Sequence, residues 1–208
     1  MKRSLLILIS FLATFHLPGQ EIGISVGPTI NNAFYYQFVA GGPTFRTKIG
    51  FNSAIDYKFL INKKLNLGLD LNLQYCPVEV VPQITVPPIP NDQPRHTEKI
   101  NLLSISPRVV YKFKNGFYTS LAPTLTYHTN YEKIKDYVIQ TIDNQTGLGL
   151  SLSFGKYFKI TNPLFLNIEP KLFIHNIIPF QNENLPLRVT TIGLNCGLTL
   201  KREIKLEE

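Results

Sequence analysis

His128 and His175 are the first residues to weigh for chemistry, because an imidazole can serve as a metal ligand or as a general base. Both lie on the polar parity of an alternating stretch, and Glu79, Glu98 or Glu132 could join them around a metal ion. No close ligand spacing such as HxxxH accompanies them, so two polar groups capping an inward face are the favoured reading. A lipid hydrolase would need a serine and a histidine together on a membrane-facing wall. Ser104, Ser106, Ser120, Ser151 and Ser153 instead share the polar parity with His128. The chain has no Gly-x-Ser-x-Gly elbow, phosphate loop or Cys-x-x-Cys pair. Gly147-Leu148-Gly149 belongs to an alternating stretch with no helix after it, so it is no nucleotide fingerprint. The expectation is no catalytic residues, no cofactor, no metal and no enzymatic activity. Asp56, Asp70, Arg108, Glu169 and Lys171 are mid-stretch charges on that same polar side, where opposite signs would pair into a plug. Cys76 and Cys196 are far apart in chain order and on opposite parities, so they are expected to remain unpaired.

The element that must position these groups is clearest at LNLGLDLNLQY, Leu65 to Tyr75. Leu65, Leu67, Leu69, Leu71, Leu73 and Tyr75 alternate with Asn66, Gly68, Asp70, Asn72 and Gln74. A strand turns successive side chains to opposite faces, so this stretch has one apolar wall and one polar wall, at a length that crosses a bilayer. Similar stretches occur at 22–30, 48–59, 103–113, 117–128, 147–155, 164–175 and 192–200, making eight strands. Long and short connections alternate between them, as in a small membrane barrel with short turns on one side and longer loops on the other. Cys76 to Lys99 is expected to be a loop because of its prolines, among them Pro77, Pro82, Pro87, Pro88, Pro90 and Pro94. Lys114-Asn115-Gly116 reads as a three-residue hairpin turn with Gly in the left-handed position.

A soluble barrel would alternate in the same way with its apolar face inward. Three features favour apolar-outward. Gly23, Gly27, Gly50, Gly68, Gly147, Gly149, Gly193 and Gly197 crowd the polar face, which suits a narrow lumen better than a solvated surface. The charges of both signs on that face can pair inside a lumen filled by side chains. Tyr57, Phe59, Tyr111, Phe113, Phe117, Phe154, Tyr157, Phe158 and Phe165 gather near the short turns, and Tyr75, Tyr127 and Tyr131 near the long loops, as two interfacial bands. Against this, Pro28, Pro107, Pro123 and Pro170 fall inside strands, where they are expected to mark bulges.

The 208 residues suit one domain, and the formal net charge of +7 comes from scattered basic residues without an aromatic-interleaved run, which argues against nucleic acid. Residues 1–19 read as a signal peptide, with Lys2 and Arg3 before the apolar Leu5 to Leu17 and cleavage before Gln20; residues 20–208 form the barrel. The succession GFNSAIDYKF, LNLGLDLNLQY, INLLSISPRVVYKF, GFYTSLAPTLTYHTN and TGLGLSLSFGKYF resembles the PorT-like outer-membrane β-barrel proteins. That resemblance implies an integral outer-membrane barrel, and one member of the family takes part in a specialised protein-secretion system. The chain departs from common barrel proteins in not ending on an aromatic residue.

The resulting expectation is an all-β, eight-stranded, antiparallel up-and-down transmembrane barrel in the outer membrane. It would be non-enzymatic, surrounded by outer-membrane lipid, and would present external loops to other envelope or secretion proteins. The competing classes are a soluble exported lipocalin-like binding barrel and, third, a lipid-modifying outer-membrane enzyme.

Overall fold

The computed structural model describes residues 20–35, 44–81, 96–130, 145–180 and 187–201. The signal segment and Glu132 lie outside these residues. Eight strands run β1 Gln20–Tyr35, β2 Thr44–Leu60, β3 Leu65–Val81, β4 His96–Lys112, β5 Phe117–Asn130, β6 Gln145–Lys159, β7 Leu164–Pro179 and β8 Leu187–Lys201. Each pairs antiparallel with its sequence neighbours, and β1 closes on β8 from Glu21↔Lys201 to Tyr35↔Leu187. The barrel is the up-and-down one expected from the alternation.

Alternation sets which wall each residue joins. On β3, Leu69, Leu71, Leu73 and Tyr75 are exposed outside, while Asn66, Asp70, Asn72 and Gln74 are buried inside. Leu69 is 44% exposed and its neighbour Asp70 is 1%. The same inversion holds around the barrel: Ile24, Ile55, Ile105, Leu125, Leu152, Ile168 and Leu198 face outward, and Asn52, Ser104, Thr126, Ser153, Glu169 and Asn195 face inward. A lipocalin-like protein needs the opposite sidedness, so that alternative does not fit. At about 3.3 Å per residue and a tilt near 40°, the apolar face of Leu65 to Tyr75 spans roughly 25–28 Å, the height of an outer-membrane apolar band.

The short connections share one end. Asn62 Oδ1 accepts hydrogen bonds from the backbone N–H of Lys64 and Leu65, both at 2.9 Å, which closes the β2–β3 turn with a side chain. At the β4–β5 turn, Lys114–Gly116, both Asn115 (φ 63°) and Gly116 (φ 79°) are left-handed, so the turn uses two such positions where the sequence pointed to Gly alone.

The strands are longer than the alternation alone delimits. β3 carries on through Cys76 and Pro77 to Val81, and β4 begins at His96, with Pro77 opposite Lys99 and Glu79 opposite Thr97. Residues 76–81 and 96–99 of the expected loop are therefore strand, and the rest of it, 82–95 with Pro82, Pro87, Pro88, Pro90 and Pro94, lies outside the described residues. Pro77 is tolerated because one proline removes one donor, not the ladder.

The in-strand prolines are not bulges. Pro28 pairs in register with Phe51, Pro107 with Leu69, Pro123 with Leu150 and Pro170 with Leu194. On the opposite edge of each proline the ladder is interrupted while its register is kept: Val26↔Cys196 resumes at Thr29↔Gly193, and Ile105↔Leu125 at Val109↔Leu121. That second register sets Pro107 directly opposite Pro123, so their two missing donors fall on one residue pair. The register shifts lie elsewhere, between Thr47 and Phe51 on β2 and between Leu148 and Leu150 on β6. The latter is opposite Asn176 of β7, which adopts φ 55°.

Candidate functional site

The lumen gathers the polar parity of all eight strands, and its narrow space forces the inward charges into contact. Arg108 on β4 is the hub. Its Nη1 donates to both oxygens of Asp70 on β3, at 3.2 and 2.9 Å. Its Nη2 donates to Ser120 Oγ on β5 at 2.7 Å, Ser153 Oγ on β6 at 3.1 Å and Glu169 Oε1 on β7 at 3.2 Å. One guanidinium thus ties together five strands, a use of its fixed fork of donors that an ammonium could not copy.

Lys171 completes the layer, with its Nζ at 2.7 Å from Asp70 Oδ2 and 3.9 Å from Glu169 Oε1. Tyr118 donates its hydroxyl proton within a short contact set, lying 2.5 Å from Glu169 Oε2 and 2.7 Å from Asn167 Oδ1. Toward the turn end, Lys58 sits 2.8 Å from Asp56 Oδ2 and donates to Tyr157 Oη at 3.0 Å. Glu21 then accepts from Lys112 and lies 3.8 Å from Lys201. Four carboxylates and five cations are interleaved along the turn-end half of the lumen. Charges out of water are tolerated only in such company.

Small residues make room for the large ones. A Cβ on Gly155 would overlap the Tyr118 ring, and one on Gly23 would lie 2.5 Å from Asp56 Oδ1. At Gly23, Gly147 and Gly155 a neighbouring side chain takes the space, as expected from sequence, whereas at Gly27, Gly50, Gly68, Gly149 and Gly197 the nearest atom is a backbone carbonyl of an adjoining strand.

Two inward aromatics depart from the expected girdle. Tyr157 is buried in the lumen, stacked on Tyr118 at 4.7 Å between ring centroids, and Phe165 packs against that cluster. Tyr111, Phe113, Phe154 and Phe158 do face outward near the turns. Parity could have separated them: Tyr157 shares its face with Gly155 and Ser153, whereas Phe158 shares its face with Phe154.

Toward the loop end the lumen turns apolar. Ala33, Cys76, Val78, Ile100, Leu102 and Val189 form a buried cluster with Phe45 packed against it. His128 and His175 stand beside it, opposite Leu102 and Val189 respectively, both fully buried, with ring centroids 6.3 Å apart and edge-on. The two ring nitrogens of His175 are engaged by Thr126 Oγ1 at 3.0 Å and Gln74 Oε1 at 3.2 Å, and Phe173 stacks on its ring. Glu79 is on β3 opposite Arg46, away from both histidines in the ladder, and the side chain of Glu98 lies outside the described residues. Among the described residues, no group of three or more His, Cys, Asp or Glu is arranged to hold a metal. Ser104, Ser106, Ser120, Ser151 and Ser153 are all buried in the lumen with His128, away from the lipid-facing wall. Cys76 is buried and Cys196 is exposed on the outer wall, and both are free thiols.

No protein-family model matches the chain, and no curated protein matches its sequence. Solved structures match its fold. The outer membrane protein OprG from Pseudomonas aeruginosa aligns with a TM-score of 0.58 at 12% identity, over 91% of this chain and 98% of that one. Neisserial surface protein A aligns at 0.54 and 14% identity, over 87% and 97%. The outer membrane protein AlkL, solved in lipid bilayers, aligns at 0.54 and 8% identity, over 92% and 94%. The chain has the eight-stranded outer-membrane β-barrel fold, and the apolar outer wall between its aromatic bands fits a position in the outer membrane.

Proposed function

We propose that this protein is a closed outer-membrane anchor whose work is done by what its loop end presents, without catalysis of its own. The observation that carries this reading is the lumen filled across by the layer of Asp70, Arg108, Glu169 and Lys171, each no more than 5% exposed at its side chain. A bore filled by paired charges offers no route for solutes and no open position for a substrate. The surface left for recognition is the four connections at the loop end, and segments held on a rigid scaffold are where barrels place binding. The partner class that fits the resemblance to PorT-like proteins is another envelope or secretion protein.

The test replaces residues 82–95 and 131–144 with short Gly-Ser turns. Crosslinking in cells is expected to lose its protein partners in this variant, while the heat-modifiable gel shift of a closed barrel persists. Unchanged crosslinks in a variant with residues 36–43 and 181–186 replaced as well would refute the reading.

A further inference from the structure

The outward side chains at the turn end carry a one-signed charge pattern. Among the described residues, the charged groups there that stand clear of the lumen's ion pairs are Lys63 and Lys64 in the β2–β3 turn, Lys114 in the β4–β5 turn, Lys156 on the outer face of β6, and Lys159, exposed at the rim on the face that Tyr157 turns inward. No described carboxylate accompanies them: Glu21, the acidic residue at this end, is buried in the lumen against Lys112 and Lys201. Among the described residues these lysines occupy an arc of the perimeter. The Lys64 carbonyl accepts a hydrogen bond from the Lys112 backbone, which joins the β2–β3 turn to β4, and Lys156 lies opposite Phe117 at the start of β5. On the remaining perimeter, β7, β8 and β1 present Leu164, Leu166, Leu198, Leu200 and Ile22.

The arc coincides with the outward aromatic residues. Tyr111 and Phe113 meet edge-on at 5.0 Å, and Phe117 stacks with Phe154 at 5.7 Å. The Lys156 ammonium is held over Phe117 at 4.5 Å and Phe158 at 5.0 Å. Rings of this kind mark the boundary of the apolar band. Lys156 lies within that band, between Phe154 and Phe158, and the turn lysines lie one step beyond it at headgroup height, where stems can run along apolar surface with charges toward water.

We infer that this arc binds the phosphates of anionic phospholipids in the turn-side leaflet, fixing the barrel's tilt and rotation against one class of lipid. The inference rests on the membrane-anchor reading and adds a ligand to it. Its chemistry is five cations in an arc against a diester phosphate, in a setting where each lysine contributes roughly fivefold to partition at an anionic surface. An acidic protein is the rival occupant, but it would have to approach through the headgroups that already cover this height.

The test uses the mature barrel in micelles doped with equal phosphatidylglycerol and phosphatidylcholine, counting retained lipids by native mass spectrometry. The wild type is expected to retain phosphatidylglycerol at least about tenfold over phosphatidylcholine. The variant with Lys63→Gln, Lys64→Gln, Lys114→Gln, Lys156→Gln and Lys159→Gln should approach parity, while Arg46→Gln with Lys48→Gln at the loop end should keep the preference. An undiminished preference in the five-fold variant, or none in the wild type, overturns the arc as a lipid site. The heat-modifiable shift separates the two readings: an intact barrel without lipid preference refutes only the arc, whereas a chain that forms no barrel refutes the anchor as well.

Discussion

At the residue scale the lumen depends on Arg108 more than on any single carboxylate. Asp70 has two cations, Arg108 and Lys171, and loses only part of its compensation when one is removed. Arg108 has bonds to Asp70, Ser120, Ser153 and Glu169 at once. Arg108→Ala would leave Glu169 with a lysine at 3.9 Å as its nearest described cation, and two serines without their shared donor. Breaking a buried pair from one side costs about 3–5 kcal/mol. Guanidinium unfolding in micelles should show a loss of that order for Arg108→Ala, and a loss of under about 1.5 kcal/mol for Ser120→Ala. Equal losses in the two variants would show that the guanidinium is not the hub. Asp70, Arg108, Glu169 and Lys171 were legible in the sequence because charge and parity agree there. Tyr118 and Tyr157 were not, because an aromatic beside a turn reads as girdle until its face is counted.

At the element scale the sidedness of each strand matters most, and β3 tests it. Leu69 faces outward near the middle of an exterior that holds no described charge between the aromatic bands. An arginine at the midplane of a barrel's lipid face costs about 2–4 kcal/mol, and one on the lumen face would escape that cost. Leu69→Arg should therefore insert into vesicles with a deficit in that range, read from unfolding midpoints, while Asn72→Ser on the other face should insert normally. Normal insertion of Leu69→Arg would contradict the orientation of the strand. Strand existence and face were readable from period two alone. Strand ends were not: Pro77 resembles a stop signal, yet β3 runs past it because its other backbone groups still find partners on β2 and β4. The in-strand prolines follow the same logic, since Pro107 and Pro123 face each other and confine two lost donors to one pair.

At the scale of the whole molecule, closure and strand number followed from eight alternating stretches, but the two-part character of the lumen did not. Sequence alternation marks an inward face as polar; Val78, Ile100 and Leu102 break that pattern where the strands extend beyond the readable repeats, and Phe173 breaks it within one. The bore is consequently expected to hold two seals of different kinds. The first is ionic, built on Arg108 and Lys171, and the second is an apolar layer that excludes ions by refusing them water. If both seals operate, opening either one leaves the barrel closed. In planar bilayers the wild type should be silent, as should the variant with Asp70→Ser, Arg108→Ser, Glu169→Ser and Lys171→Ser, provided its heat-modifiable shift confirms folding. Adding Leu102→Gly and Phe173→Gly to that variant should produce discrete conductance steps. Steps already present with the four serines alone would mean that the apolar layer does not seal, and that the ionic layer by itself separates the two sides of the membrane.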